Sequence, residues 1–298
     1  MGGSISLITV NYNGLELTCA LLDSLERVCS VLPEVIVVDN GSKTDEAAVI
    51  AQRHPFVKAV RSEENLGFAG GNNLGLKYAT GDYILFINND VEIKEDGFGK
   101  LVEAFSKDSS IGMVCPKIRF FWGTEPIQFA GYTPMRGIGM HNDMIGYMQE
   151  DDGSFDTPAF TPFAHGAAMM VSRRALEDVG PMPECYFLYY EELDWSLMFT
   201  RKGWKIYFEP AFTIFHKESA TTGRESPLKS YYMARSRQLF AHRNFSGARR
   251  VLSICFARYL SGTKKILKAL LKGRPELARA VLKANHDFRK MALEGRLG

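Results

Sequence analysis

Between Ile5 and Ile87, short apolar, β-branched runs alternate with amphipathic stretches, and no other feature constrains the fold of this chain as strongly. "ISLITV" precedes a helical pattern from Leu15 to Val28, and "EVIVVD" precedes one from Glu46 to Arg53. "VKAVRS" leads into the Gly/Asn-rich "NLGFAGGNNLGLKYA", and "YILFIN" comes next. Strands joined by single helical segments form βαβ units, so the chain is expected to build an α/β domain around a mostly parallel central sheet flanked by helices. Ligands of such sheets gather beyond the carboxyl ends of the strands.

Those ends are polar. The first strand closes on Asn11, Tyr12 and Asn13, the second on Asp39, Asn40, Gly41 and Ser42, and the fourth on Asn88, Asn89 and Asp90. Any one cluster is ordinary turn chemistry. Polar groups at the end of a buried strand are costly unless a turn, a metal or a ligand satisfies them, and here the topology gathers three clusters on one edge.

Composition supports a globular chain: 298 residues, 46% hydrophobic and 23% charged. Five cysteines, Cys19, Cys29, Cys115, Cys185 and Cys255, are scattered without zinc-like spacing, which fits a reducing compartment. Neither a charged-then-apolar leader nor a run of some 18 apolar residues occurs, so a cytoplasmic location is expected. "MGGSIS" matches a myristoylation pattern through Gly2 and Ser6, but Ile5 to Val10 already reads as a strand. The sequon at Asn244 carries little weight without an export signal.

Charge is unevenly spread. From Glu225 onward there are 17 Lys+Arg against 4 Asp+Glu, and before it 19 against 30. The chain is expected to divide into a domain over 1–224 and a basic helical C-terminal extension over 225–298, with helix breaks near Gly247, Gly262 and Gly273–Pro275. "SYYMARSRQLFAHRNF" and "RYLSGTKKILKALLKG" mix basic and apolar residues at helical spacing. That composition suits either a helix on an anionic membrane surface or a cap packed on the body or on a second copy of the chain. A nucleic-acid partner is not expected, since no recognised binding module appears.

Hard divalent cations take oxygen ligands and fill their shells with phosphate oxygens, so an acid at a strand end suits metal-assisted chemistry on a nucleotide diphosphate. Asp90 fits that role, with Asn88 or Asn89 turned toward a sugar or ribose. The segment "FINND" resembles the Asp-x-Asp-type motif of GT-A glycosyltransferases. The ordered set "TVNYNG", "VVDNGS", "NLGFAGGNN", "FINND", "HGAAMMV", "YYEELDWS" and a later histidine resembles glycosyltransferase family 2, near its rhamnosyltransferase-like branch, over Ser4 to Gly223. Asn88 stands where the commoner motif has its first acid, leaving Asp90 as the only carboxylate there.

The resemblance implies a GT-A, Rossmann-like fold, a divalent metal (Mg2+ or Mn2+) and a nucleotide-sugar donor. Thr9, Val10, Asn11, Tyr12 and Asn13 would form the nucleoside pocket, with Asp39 accepting from a pyrimidine N3–H beside Asn40 and Ser42. Asn65, Gly67, Phe68 and Asn72 or Asn73 would reach the donor, glycine allowing close backbone approach. A helix N-terminus packed on the sheet is the other reading of that glycine stretch. Asp90 and His216 would hold the metal.

An inverting transfer needs a base on the face opposite the leaving diphosphate. The family pattern Glu-Asp-x-Asp uses its second acid, which places Glu192 in that role and Glu191 as second choice. The other reading of these acids is that they complement a helix N-terminus. His165 is expected at the acceptor side or in packing, Trp195 and Trp204 in the core, and Trp122, Phe129 and Tyr132 against a sugar ring.

The resemblance thus implies sugar transfer from dTDP-rhamnose or a UDP-sugar to a glycan or lipid-linked acceptor in cell-surface polysaccharide synthesis, at the inner face of the membrane. The competing readings are a catalytically degenerate sugar-nucleotide-binding protein and a nucleotidyltransferase. "NYNG" after the first strand lacks the basic Gly-rich loop that a nucleotidyltransferase would need.

Overall fold

A computed structural model describes residues 3–218 and 226–297. Gly2 of the myristoylation pattern and the 224/225 domain boundary lie outside the described residues.

The three expected βαβ steps form as β1 (Ile5–Asn11), α1 (Leu15–Val28), β2 (Glu34–Asn40), α2 (Glu46–Arg53), β3 (Val57–Ser62), α3 (Gly67–Leu76) and β4 (Tyr83–Ile87). In α1 the apolar stripe of Leu21, Leu22 and Leu25 is buried, while Glu16, Asp23 and Glu26 face water. Helix α2 starts where the Asp45 carboxylate accepts from Ala48 N, satisfying one of the free N–H groups of its first turn.

The glycine-rich stretch is itself helix α3. A Cβ on Gly75 would stand 2.6 Å from Ile8 Cγ2, and one on Gly71 would stand 2.9 Å from Val10 Cγ1. Glycine therefore lets this helix press onto β1, and packing prevails over the poor helix propensity of glycine.

After β4 come β5 (Val91–Glu92), α4 (Phe98–Ala104), β6 (Ile111–Phe120), β7 (Ile127–Phe129), β8 (Ala159–Phe160), β9 (Ala168–Ser172), α5 (Arg173–Val179), α6 (Glu191–Arg201) and β10 (Lys205–His216). One sheet runs β3-β2-β1-β4-β9-β6-β10-β5, with β7 on β6 and β8 on β10. Pairing is parallel across β3-β2-β1-β4 and between β6 and β10. Strand β9 runs against both of its neighbours, so the parallel sheet is interrupted at its centre. The reversal has a use, because the start of β9 lies on the same edge as the ends of β1, β2, β4, β6 and β10. The core lies beneath: Leu7, Ile36, Phe86, Met113, Met170 and Trp195 are buried, with the Phe86 and Trp195 rings edge to face at 5.5 Å.

The C-terminal part is helical: α7 (Pro227–Asn244), α8 (Gly247–Cys255), a π segment (Phe256–Ser261), α9 (Gly262–Leu271) and α10 (Pro275–Leu293). The break expected at Gly262 does not occur. Helical backbone continues from Cys255 through Phe256, Ser261 and Gly262, with one π turn absorbing the irregularity. A second core of Phe163, Tyr186, Leu193, Phe240 and Phe288 joins α7 and α10 to the segments carrying the acidic cluster. No helix among the described residues is long and apolar enough to cross a membrane.

Candidate active site

A cavity of about 420 Å³ opens at the carboxyl edge of the sheet. Val10, Tyr12, Asn40, Asn65, Gly67 and Phe68 form one side of it; Asn88, Asn89, Asp90 and His216 form its base. Gln128, Tyr132, Met144 and His165 wall the far side, and the segment from Phe187 to Glu192 faces them.

Asp90 and His216 meet because β4 and β10 end on the same edge. Asp90 Oδ1 lies 3.1 Å from His216 Nε2, and both side chains are buried. On the other side of the ring, Nδ1 donates to Gln128 Oε1 at 2.8 Å, which fixes the ring with Nε2 turned toward the carboxylate. An imidazole nitrogen and a carboxylate oxygen are both metal-ligand atoms, and a hydrogen-bond partner such as Gln128 orients a ligating imidazole in this way. Donors that are cis on an octahedral ion, each about 2.1 Å from it, stand about 3 Å apart, so the observed spacing fits a hard divalent metal. Asn88 Nδ2 is 3.4 Å from the same nitrogen, and Asn89 Nδ2 donates to Thr18 Oγ1 at 3.0 Å.

Glu191 and Glu192 open α6, and both line the cavity. Burial raises the Glu192 carboxyl to about 7, although N–H groups at the helix start favour its ionised form. Glu191 is the more deeply buried. Burial first, and the charge of Glu192 second, push its carboxyl well above the usual range. Both carboxyls are held above the usual range, Glu192 being the one less withdrawn from the cavity mouth. Burial and then the nearby Glu192 charge also raise the Tyr132 hydroxyl, which keeps it a protonated donor in the far wall. Burial, followed by His216, lowers His165 to about 3, so that its imidazole is neutral.

The chain enters α6 through left-handed backbone at Phe187 (φ 67°), Tyr189 (φ 65°) and Tyr190 (φ 77°). Non-glycine residues hold such angles only where their surroundings impose them. Here α7 imposes them. Arg235 donates to Tyr186 O, Ser236 Oγ donates to Leu188 O at 3.0 Å, and the Tyr232 ring stacks on Phe187 at 4.9 Å. From the other side Phe68 N donates to Phe187 O at 2.8 Å, and a Cβ on Gly67 would stand 2.3 Å from that same oxygen. At Gly67, φ is 76°, so glycine is required on two counts.

Several residues expected at the site do not line this cavity. Asp39 is buried beside it, with Oδ2 bound by Arg61 Nη1 at 3.0 Å and Oδ1 accepting from Ser42 N at 3.2 Å. A carboxylate taken from water needs such partners. Asn11 donates to Glu46 Oε2 at 2.7 Å, and Ser42 Oγ accepts from Asn13 N at 2.8 Å, so both serve the loop framework. Thr9 is buried in β1.

Asn72 donates to Phe68 O, while Asn73 donates to Met182 O and to Glu184. Those amides fix α3 and the segment it packs on, in place of the donor contact expected of them. Of the aromatics expected on a sugar ring, Tyr132 lines the cavity, Phe129 is core, and Trp122 packs on Phe120 at 4.7 Å. Trp195 is buried, and Trp204 donates to Asp178 at 2.8 Å.

Sequence reasoning missed Gln128, Met144, Leu228 and Lys229, the last two from α7. None sits in a recognisable pattern, and Gln128 gains its role only by folding against His216. A separate cluster, Asp23, Glu26 and His54, places three donor atoms within 4.8 Å on α1 and at the end of α2, away from the cavity lining.

The family model described as "Glycosyl transferase family 2" matches residues 6–180. A low-salt glycan biosynthesis hexosyltransferase of Haloferax volcanii is 26% identical over 247 residues, covering 81% of this chain and 76% of that protein. An N-acetylglucosaminyl-diphospho-decaprenol L-rhamnosyltransferase of Mycobacterium tuberculosis is 25% identical over 243 residues, covering 74% of this chain and 78% of that protein. Among solved structures, GalNAc-T7 with UDP, GalNAc and Mn2+ superposes with a TM-score of 0.62 at 16% identity, over 98% of this chain and 57% of that one, a likeness of fold.

Proposed function

The chain belongs to glycosyltransferase family 2, and from that premise we propose that it is an inverting transferase in which Glu192 is the base and Asp90 with His216 holds a divalent metal. The observation that carries the reading is one cavity bearing both the Asp90–His216 pair and a carboxyl raised to about 7. A divalent cation held by Asp90 and His216 would supply Lewis-acid neutralisation of the leaving diphosphate's charge. Glu192 removes the acceptor hydroxyl proton as the oxygen attacks the anomeric carbon from the opposite face. Asn40, Asn65 and Phe68 would border the donor, and Tyr132 on the far wall would border the acceptor.

The name of the rhamnosyltransferase relative supports rhamnose as the sugar and a lipid-linked acceptor; dTDP-rhamnose is therefore the first donor to try and a UDP-sugar the next. The fold neighbour with UDP and Mn2+ supports the metal. Thermal shifts with dTDP, UDP and GDP and their sugar conjugates, with and without Mn2+, test the donor site. Saturation at a hundred times Kd adds about 2.7 kcal/mol of stability. Asp90→Ala is expected to abolish the metal-dependent part of the shift and the transfer with it. A shift that is indifferent to both metal and Asp90 would sink the assignment.

A further inference from the structure

We propose that the outer face of α8, the π segment and α9 docks on an anionic lipid bilayer. The basic extension does two jobs in different helices. Helices α7 and α10 cap the body, burying Phe240 and Phe288. The helix between them is turned the other way. Its small residues, Ser253, Ala257, Gly262 and Ala269, are the buried ones. Four of its large apolar side chains face out: Tyr259 is 62% exposed, Leu260 65%, Leu267 55% and Leu271 89%. These four line one shallow groove, with Lys264 and Lys268 on its walls. Burying small groups while exposing leucines is the reverse of what a surface helix gains from water, and an apolar stripe of this kind marks an interaction site.

Charge selects the occupant. From Gly247 to Lys272 the chain carries seven Lys+Arg and no Asp or Glu. A second copy on this face would set basic segment against basic segment with no acid in either to relieve them, which association disfavours. An anionic bilayer offers negative headgroups to the lysines and an acyl boundary to the leucines, the combination that binds helices lying in the interface. None of the described helices can span the membrane, so the face lies on it.

The same helix touches the wall of the cavity. Arg237 of α7 ties Gly139 O to Ser261 Oγ, and His141 packs edge-on to Phe256 at 6.4 Å. Gly139 and His141 lie in the loop between Tyr132 and Met144, two cavity residues paired by a β-bridge. A docked helix would thus hold the far wall at the lipid surface.

The test is sedimentation of the full chain with vesicles of phosphatidylcholine alone or mixed with phosphatidylglycerol, at low and high salt, without any sugar donor. Binding to the mixed vesicles only, weakened by salt, is expected. The double substitution Leu267→Ser with Leu271→Ser should weaken it about tenfold per leucine. Lys264→Gln with Lys268→Gln should weaken it about fivefold per lysine and flatten the salt dependence. All four positions are exposed, so both variants should melt with the parent. No binding to mixed vesicles, equal binding to neutral ones, or full binding by the leucine variant would overturn the proposal. So would a concentration-dependent dimer that the leucine variant dissolves. Since no donor enters the assay, its failure leaves the catalytic reading standing.

Discussion

Replacing Glu192 by Gln keeps its shape and removes its charge, and the structure predicts opposite effects on rate and stability. The wild-type carboxyl titrates at about 7 in the folded chain against an ordinary 4.5, because burial disfavours its charge. The native state therefore holds a proton that the unfolded chain releases. Stability falls as pH rises from about 4.5 toward 7 and stays lowered above it. The full shift corresponds to about 3 kcal/mol; water reaching the carboxyl through the cavity mouth trims this to roughly 1–3 kcal/mol. Glu192→Gln should regain that amount at pH 8, raising Tm by a few degrees, and only about a quarter of it at pH 5.

Transfer should fall by about 10²–10⁴ in the same variant. In the wild type, transfer should rise about tenfold from pH 6 to pH 8, following ionisation of the base. Paired thermal melts and donor-consumption assays across that range decide the matter. A variant within tenfold of wild-type activity refutes the base assignment. A stability gain that ignores pH refutes the raised carboxyl, and the same pattern in Glu191→Gln instead would move the base one residue back.

Two further changes probe the scaffold. Arg243→Ala strips the partner 2.6 Å from buried Asp194, which also accepts from Tyr186 at 2.8 Å, and should cost about 3–5 kcal/mol in urea unfolding; a loss under 1 kcal/mol would show that the pair is solvated. Gly67→Ala drives a Cβ to 2.3 Å from Phe187 O at a φ of 76° and should cost about 2 kcal/mol or more. It should also depress transfer at temperatures where the chain remains folded, since Phe187 leads directly to Glu191.

Residue periodicity sufficed for α1 and α2, because a stripe such as Leu21, Leu22 and Leu25 has no other use. Strand ends bearing Asn88 and Asp90 were legible for the same reason: a core strand does not close on polar groups without cause. What pattern could not supply was partnership. Nothing local says that Asp39 is bound by Arg61, that Asn73 clamps Met182, or that Gln128 turns His216 toward Asp90. The glycine stretch was ambiguous for a related reason. Poor helix formers adopt a helix when a neighbouring strand leaves room for nothing larger, and that neighbour lies far away in sequence. The reach of α7 into the cavity was hidden too, because Leu228 and Lys229 look like any helix start.

The reversed strand β9 has an architectural corollary. Since β6 ends and β9 begins on the same edge, residues 121–167 leave the sheet and return to it at one place. Between its two stems the excursion is tied down by the short β7 and β8 pairings, by Lys117 on Asp151, by Thr161 N on Ile206 O, by Ala164 N on Ser196 Oγ and by Arg237 on Gly139 O. It can lengthen, shorten or change composition without shifting the register of β1, β2 or β4. The far wall is thus a separate insertion hung on the sheet edge that bears Asn40 and Asp90, and locked to that edge through Gln128 on His216.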